Sequence, residues 1–290
     1  MLHQIHEFLP QIQKIIQKNI AHNRNTVIGV VGGSCSGKST VVAQTLQLCL
    51  NCDSKILHQD DYQQGFNFIE DIDPVYRWDS PKNYGIEQSA ILLNKLKNQQ
   101  SWEMPQYSFD EKKNIGTQKI LPSTVIIFEG IYAGYGPILE ELDFLIFVET
   151  PFHARFIRRV FRNSFKRYQL PPKMVLERLL EGGVYKAHRD LIQPQKINAH
   201  AVVYNNFNFQ QIIDEFDLQS ITKYKKYTIL QQISIPINAS MDIILLPNQN
   251  KYLIFSQNKN WYFKIPIQNQ SIQLLNYWNN NEINELLFLN

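Results

Sequence analysis

Apolar side chains are spaced along this chain in two ways. Over residues 1–22 they fall at Ile5, Leu9, Ile12, Ile15, Ile16 and Ile20, the three-and-four spacing of one helical face, and Pro10 predicts a break or a start within that helix. Beyond it, short apolar runs alternate with amphipathic stretches. Runs over 26–31, 124–128, 144–148 and 201–204 have the texture of strands covered on both faces, and a shorter strand over 54–58 joins them. Helical spacing fills 39–50, 86–98, 152–168 and 173–180, whereas 65–85 is irregular and rich in aromatics. This alternation predicts an α/β fold, a doubly wound parallel sheet of about five strands with helices on both faces.

From about residue 221 the texture changes. Stretches 241–246, 251–255 and 261–267 read as strands separated by Pro-Asn-Gln-Asn and Gln-Asn-Lys-Asn turns, a small antiparallel meander, with a short helix over 283–289. The domain organisation expected is a docking helix over 1–22, the sheet domain over 23–220 and a small β-rich extension over 221–290.

Composition narrows the classes. The 290 residues are 44% hydrophobic and 19% charged, ordinary globular chemistry rather than disorder. A formal charge of +3 is too small to argue for a nucleic-acid partner. No run approaches the roughly 18 to 20 apolar residues of a membrane span, so a cytoplasmic protein with no membrane partner is expected. Cys35, Cys49 and Cys52 are expected to be reduced thiols.

Chemistry enters at residues 32–40, where Gly32, Gly33, Ser34, Cys35, Ser36, Gly37, Lys38, Ser39 and Thr40 follow the first strand and open the next helix. Residues 32–39 fit the pattern G-x-x-x-x-G-K-[ST] without a mismatch. In such a loop the backbone N–H groups and the helix N-terminus cradle the phosphates of a nucleoside triphosphate. Lys38 reaches the outer phosphates and the Ser39 hydroxyl ligates Mg²⁺.

A phosphate loop does not distinguish a kinase from a hydrolase or a switch, so the acceptor side decides. The second strand, expected to neighbour the first in the sheet, ends in Gln59-Asp60-Asp61-Tyr62, which places Asp60 at the carboxyl edge, the edge that carries the loop. There its carboxylate is placed to orient an acceptor hydroxyl and take its proton; the bland alternative holds a metal-bound water or caps a turn. Glu129, at the end of the apolar run over 124–128, is a candidate partner for Mg²⁺. Arg155, Arg158, Arg159 and Arg162 recur at helical spacing, a basic stripe that reads either as a lid over the triphosphate, with Arg159 and Arg162 acting on the transferred group, or as a solvated face or RNA patch.

Taken together, these residues resemble the uridine kinase family of the phosphoribulokinase and uridine kinase group over about residues 26 to 206. The loop over 32–40, His58-Gln-Asp-Asp-Tyr62, Trp78-Asp-Ser-Pro81, Pro105-Gln-Tyr-Ser-Phe109, Phe128-Glu-Gly-Ile131 and Phe147-Val-Glu-Thr150 occur in the family's order. The resemblance implies a P-loop kinase fold, ATP and Mg²⁺, Asp60 as base, Asp79 on ribose hydroxyls, Tyr107 at the base pocket and Arg167 in the lid. The bland alternatives are that Asp79 caps the helix beginning near Pro81 and that Tyr107 is an ordinary half-buried aromatic. Where the family carries a histidine and an arginine after its Tyr-Asp-Phe element, this chain has Lys112 and Asn114, and the lid's second arginine gives way near Gln169. The stretch over 168–172 is similar to nicotinamide riboside kinases.

The expected activity is phosphorylation of the 5′-hydroxyl of a nucleoside, uridine or cytidine first. The alternatives are nicotinamide riboside, pantothenate or a sugar phosphate as acceptor, or a nucleotide-binding regulator without catalysis. Members of that family are often tetramers, so a homo-oligomer is a further expectation of the resemblance.

Overall fold

The computed structural model describes residues 2–64, 73–150, 183–205, single positions between them (155, 158, 159, 162, 163, 175 and 178), and the strands within 228–267. It divides into two compact units, Met1–Asn206 and Phe207–Asn290.

The first unit is a five-stranded parallel sheet in the order β2-β5-β1-β6-β7, formed by β1 (Thr26–Gly32), β2 (Ser54–His58), β5 (Val125–Gly130), β6 (Phe144–Glu149) and β7 (Ala201–Tyr204). Every residue of β1 and β5 is buried, which explains why these strands read as unbroken apolar runs. Chain connections diverge from β1 to either side, and crevices for ligands open at the carboxyl ends of strands at such a switch point.

The order corrects one expectation. Asp60 was placed on the strand neighbouring the phosphate loop, but β5 lies between β1 and β2, pairing with Thr26–Val31 on one side and Ser54–His58 on the other. Glu129 therefore stands between the loop and the tip of β2.

Helix α1 (Leu2–Ala21) runs unbroken through Pro10, another correction. Pro10 lies on the exposed side together with His6, the residue whose carbonyl a proline at position 10 leaves without its amide partner. Ile5, Phe8, Ile12 and Ile16 are buried on the other side in one cluster with β1, β5 and β6. Burying four such side chains is worth about 6 kcal/mol or more, against about 3 kcal/mol for an interior proline. Ile20, counted on the apolar face, is exposed. Its place is taken by buried Asn19, which donates to Thr26 Oγ1 at 3.1 Å and accepts from Arg24. At the other end, the Gln4 side-chain amide pairs with both backbone groups of Tyr204 and covers the free edge of β7.

Helix α2 opens with wide π turns over Lys38–Ala43 and continues as α-helix over Gln44–Leu50, and α3 spans Ile86–Lys97. Two short α-helices, α4 (Pro137–Glu141) and α5 (Val184–Ala187), follow, the second continuing through π and 3-10 turns over His188–Ile192 and Gln193–Asn198; isolated helical positions are Arg155, Arg158, Arg159, Val175 and Arg178.

A hairpin of β3 (Trp102–Ser108) and β4 (Lys113–Ile120) stands apart from the main sheet. It has no signature in the sequence, because β4 is exposed along most of its length and so lacks an apolar alternation.

In the second unit, four strands pair antiparallel in the order β11-β10-β9-β8: β8 (Thr228–Ile235), β9 (Ala239–Leu245), β10 (Lys251–Gln257) and β11 (Asn260–Ile267). The meander expected from three strands is thus four-stranded; β8 escaped notice because Gln231 and Gln232 interrupt its apolar pattern. The helix expected over 283–289 lies outside the described residues.

Candidate active site

The phosphate loop turns where its residue types allow it. Gly37 has φ +88° and Cys35 φ +64°, the left-handed region that glycine enters at little cost. A Cβ on Gly33 would come within 2.5 Å of the Arg155 guanidinium, and one on Gly32 within 2.6 Å of the Val148 carbonyl oxygen. The backbone contact excludes a side chain at Gly32, and a side chain at Gly33 would require the Arg155 guanidinium to move. The Gly37 carbonyl accepts from Val41 and Val42 N–H and starts α2, leaving the first amides of that helix directed at the loop.

Lys38 is buried and Ser39 half-buried. Glu129, buried at the tip of β5, receives a hydrogen bond from the Ser39 side chain and is paired with His58 at 2.5 Å. Burial alone would push the Glu129 carboxyl up, but His58, Lys38 and Ser39 outweigh it and hold the group below its ordinary range. A carboxylate kept charged beside a hydroxyl is a hard oxygen pair suited to Mg²⁺, which takes its remaining ligands from phosphate oxygens and water.

The hydrogen bond to Glu129 raises the His58 imidazole above its usual value of about 6.5. A raised folded value means that the pair's stabilisation is complete below about pH 6.5 and is lost as pH rises through the folded value. Because His58 is 51% exposed, the effect is at most about 1 kcal/mol. In Mg²⁺-free buffer the Tm is therefore expected to fall over that window, and His58→Ala to flatten the slope; an unchanged slope in the variant would contradict the pairing.

At the tip of β2, the two aspartates have different surroundings. Asp61 accepts the backbone N–H of Tyr107 at 3.3 Å and so ties β3 to the site. Asp60 is half-buried on the turn Gln59–Tyr62, close enough to Asp79 and Tyr84 to raise both electrostatically. Gln59 braces this turn against the end of β5: its Oε1 accepts Tyr132 N–H at 2.9 Å.

Asp79 is buried, and its Oδ2 has no hydrogen-bond partner. Burial raises its carboxyl, while Arg159, Lys38 and Arg162 pull the other way and Asp60 adds to the rise. It does not cap the turn after Pro81; Ser80 does, accepting from Lys82 N–H at 3.3 Å. The Tyr132 hydroxyl donates to the Asp79 backbone carbonyl, and Tyr84 packs edge-on against Tyr132. Arg178 lies over the ring of Trp78 at 5.1 Å.

The arginine stripe lies against the phosphate loop. Arg162 approaches Ser34 Oγ and Arg158 the Cys35 carbonyl, each at 3.4 Å. Arg159 is half-buried with an Nε that has no partner. Arg155 is buried beneath the loop, donating to the Thr150 carbonyl, and burial pushes its guanidinium down to about 10. Tyr107 stands half-buried on β3, edge-on to Phe109 at 5.3 Å, and Lys112 turns with φ +55° at the hairpin end. Arg167 and Gln169 lie outside the described residues.

Residues 27–208 match the model of the Phosphoribulokinase / Uridine kinase family. This chain belongs to that family. It is 30% identical over 187 residues to the uridine kinase of Deinococcus deserti, covering 63% of this chain and 88% of that enzyme. A uridine kinase of Ligilactobacillus salivarius is 31% identical over 200 residues, 66% of this chain and 91% of that one. Uridine kinase-like protein 3 of Arabidopsis thaliana matches at 31% over 150 residues, but the match spans only 32% of that longer protein. Among solved structures, a kinase ascribed to a fructose transport system of Silicibacter sp. TM1040 superposes with a TM-score of 0.54 at 18% identity, over 69% of this chain and 98% of its own.

The match to the phosphoribulokinase and uridine kinase family lies almost wholly within the first unit, so the chain is a phosphotransferase of that family with a four-stranded sheet beyond the matched region. No helix among the described residues is long and apolar enough to cross a membrane. Of the residues singled out in the sequence, Lys38, Ser39, Asp60, Asp79, Glu129, Arg159 and Arg162 are brought together, and Tyr107 is tied to them through Asp61. His58, Gln59, Thr150, Tyr132 and Asn205 were missed as contributors; His58, Gln59 and Thr150 had a signal, as polar residues at a strand tip inside an otherwise recognised motif, and Tyr132 and Asn205 had none.

Cys35 supplies a direct probe of the loop. Burial pushes its thiol up, yet Arg162, Arg159 and Lys38, with a hydrogen bond to Ser34, hold it below its ordinary value. Half-buried at the loop's turn, it is expected to react with a bulky alkylating agent, lose ATP binding on modification and be protected by ATP. Full modification with undiminished ATP affinity would contradict this placement.

Proposed function

We propose that the protein transfers the γ-phosphoryl group of ATP to the 5′-hydroxyl of a nucleoside, with uridine or cytidine the first choice. One juxtaposition carries the reading: the phosphate loop at the tip of β1, Glu129 at the tip of β5 and Asp60 at the tip of β2 line one edge of the sheet, with the partnerless carboxylate oxygen of Asp79 facing the same charges. A buried carboxylate without a hydrogen bond is costly, and two neighbouring ribose hydroxyls are donors that would satisfy it.

Asp60 then orients the 5′-hydroxyl and accepts its proton as the bond to phosphorus forms. Loop amides and Lys38 hold the outer phosphates, while Arg159 and Arg162 offset charge spreading onto the transferred group and Arg167 extends the lid. Ser39 and Glu129 would hold Mg²⁺, which when bound neutralises charge on the β- and γ-phosphates. The contacts of Arg158 and Arg162 with the loop favour a lid over an RNA-binding patch.

Uridine kinases among the relatives support a pyrimidine nucleoside; Lys112 and Asn114 at the hairpin make the acceptor the part most in need of a test. The deciding assay is ATP turnover against a panel of uridine, cytidine, nicotinamide riboside, pantothenate and sugar phosphates. Uridine or cytidine is expected to give the highest kcat/KM. Turnover with an anionic acceptor alone would move the assignment to that class, and nucleotide binding without turnover on any acceptor would favour a regulator. Asp79→Asn is expected to raise the nucleoside KM by about tenfold or more at an unchanged KM for ATP, since hydrogen bonds to a charged group are worth about 1.5–3 kcal/mol; an unchanged nucleoside KM would remove Asp79 from the acceptor site.

A further inference from the structure

The Ser36 carbonyl oxygen is held by two side chains from the ends of β6 and β7, the strands on the side of β1 away from β5 and β2. Asn205 Nδ2 donates to it at 2.6 Å and Thr150 Oγ1 at 3.0 Å, both in buried surroundings. On its other side the Ser36 N–H is already engaged, donating to the Gly33 carbonyl at 3.0 Å. Ser36 is therefore fixed at both of its backbone groups.

The two donors share a rigid base. Thr150 is the residue after β6 and Asn205 the residue after β7, strands paired in parallel with Glu149 opposite Tyr204. The Asn205 N–H donates to the Glu149 carbonyl at 2.9 Å, so the ladder continues to the two residues themselves. The Asn205 amide also occupies the position a Cβ on Gly37 would take.

Peptide planarity gives this arrangement a consequence for ligand binding. All peptide bonds described are trans, so the Ser36 carbonyl and the Gly37 N–H lie in one plane and point in opposite directions. Pulling the carbonyl toward Thr150 and Asn205 turns the Gly37 N–H away from them, into the hollow of the loop where phosphate oxygens sit. The glycines at 32, 33 and 37 restrict the backbone little by themselves, so the loop keeps conformational freedom unless contacts from outside it remove that freedom. Fixing one plane in advance removes an ordering cost that ATP would otherwise meet on binding.

We infer that Thr150 and Asn205 are positioning residues for ATP: together they clamp the Ser36–Gly37 peptide so that its N–H faces the phosphates before the nucleotide arrives. The inference rests on the reading of residues 32–40 as the ATP site, and it is independent of the acceptor.

The test is equilibrium binding of Mg²⁺-ATP, without acceptor, to the full chain. Thr150→Val with Asn205→Leu, which keep the bulk and remove both donors, is expected to raise the Kd for ATP about tenfold and to speed hydrogen exchange in the peptide spanning 32–40. Thr150→Ser, which keeps the hydroxyl, is expected to bind as the wild type does. Should the double variant not fold, Thr150→Val alone is expected to raise the Kd about threefold. A wild-type Kd in the double variant, or in Thr150→Val when that stands in for it, would overturn the clamp. So would Thr150→Ser binding as weakly as Thr150→Val, because packing rather than the hydroxyl would then be responsible. A wild type that fails to bind ATP would overturn the reading of the loop itself, and the clamp with it.

Discussion

Asp60→Asn is expected to lower kcat by about 10²–10⁴ while the Kd for ATP stays near its wild-type value. Asn has the size and polarity of the residue it replaces, so the turn over Gln59–Tyr62 keeps its shape, and only the capacity to take a proton is lost. ATP binding belongs to another strand tip, with Glu129 standing between. Asp61 is the control: its carboxylate is occupied by the Tyr107 N–H, a bond that an Asn oxygen can also accept. Asp61→Asn is thus expected to keep most of the activity. Acceptor-dependent turnover that survives in Asp60→Asn and disappears in Asp61→Asn would reverse the two roles.

Lys38→Ala is expected to reduce kcat/KM for ATP by about 10²–10³, the scale of removing one preorganised charged donor from a transferring group. The loss has a second component in the unliganded protein. Lys38 is one of the charges that hold Glu129 below its ordinary range and that oppose the rise at Asp79. Without the ammonium, two buried carboxylates lose compensation, so the Tm of the variant is expected to fall as well. Lys38→Arg is expected to restore the charge but not the rate, since a planar fork replaces a compact ammonium in a buried position. A kcat/KM within threefold of wild type in Lys38→Ala would refute the assignment of the loop.

The chemistry was legible where it is local. The loop over 32–40, the Gln-Asp-Asp turn and Glu129 after an apolar run each combine a backbone requirement with a reactive group within a few residues, and the structure puts them at the same sheet edge. Strand order was not legible, because β1, β5 and β6 are alike in apolar texture and nothing in their sequences says which lies between which. That is why β2 was taken as the neighbour of β1 when β5 intervenes.

The contacts of Thr150 and Asn205 with Ser36 were illegible for a related reason: the two residues act from 114 and 169 residues away. The hairpin of β3 and β4 escaped because exposed strands carry no burial pattern. Pro10 misled because the rule for interior prolines ignores how much apolar surface the rest of the helix buries. Asp79 shows the opposite case. Its sequence allowed a cap or a ligand-binding group, and the cap is taken by Ser80, which leaves a buried carboxylate facing the site.

The central claim is that a ribose 5′-hydroxyl lies between Asp60 and the γ-phosphate of ATP. Paired measurements of ADP release with uridine and with 5′-deoxyuridine test it most directly. Turnover is expected with uridine, and with 5′-deoxyuridine no turnover but competitive inhibition against uridine, because every contact except the attacking hydroxyl is retained. Equal ADP release with both compounds, or no effect of either, would contradict it.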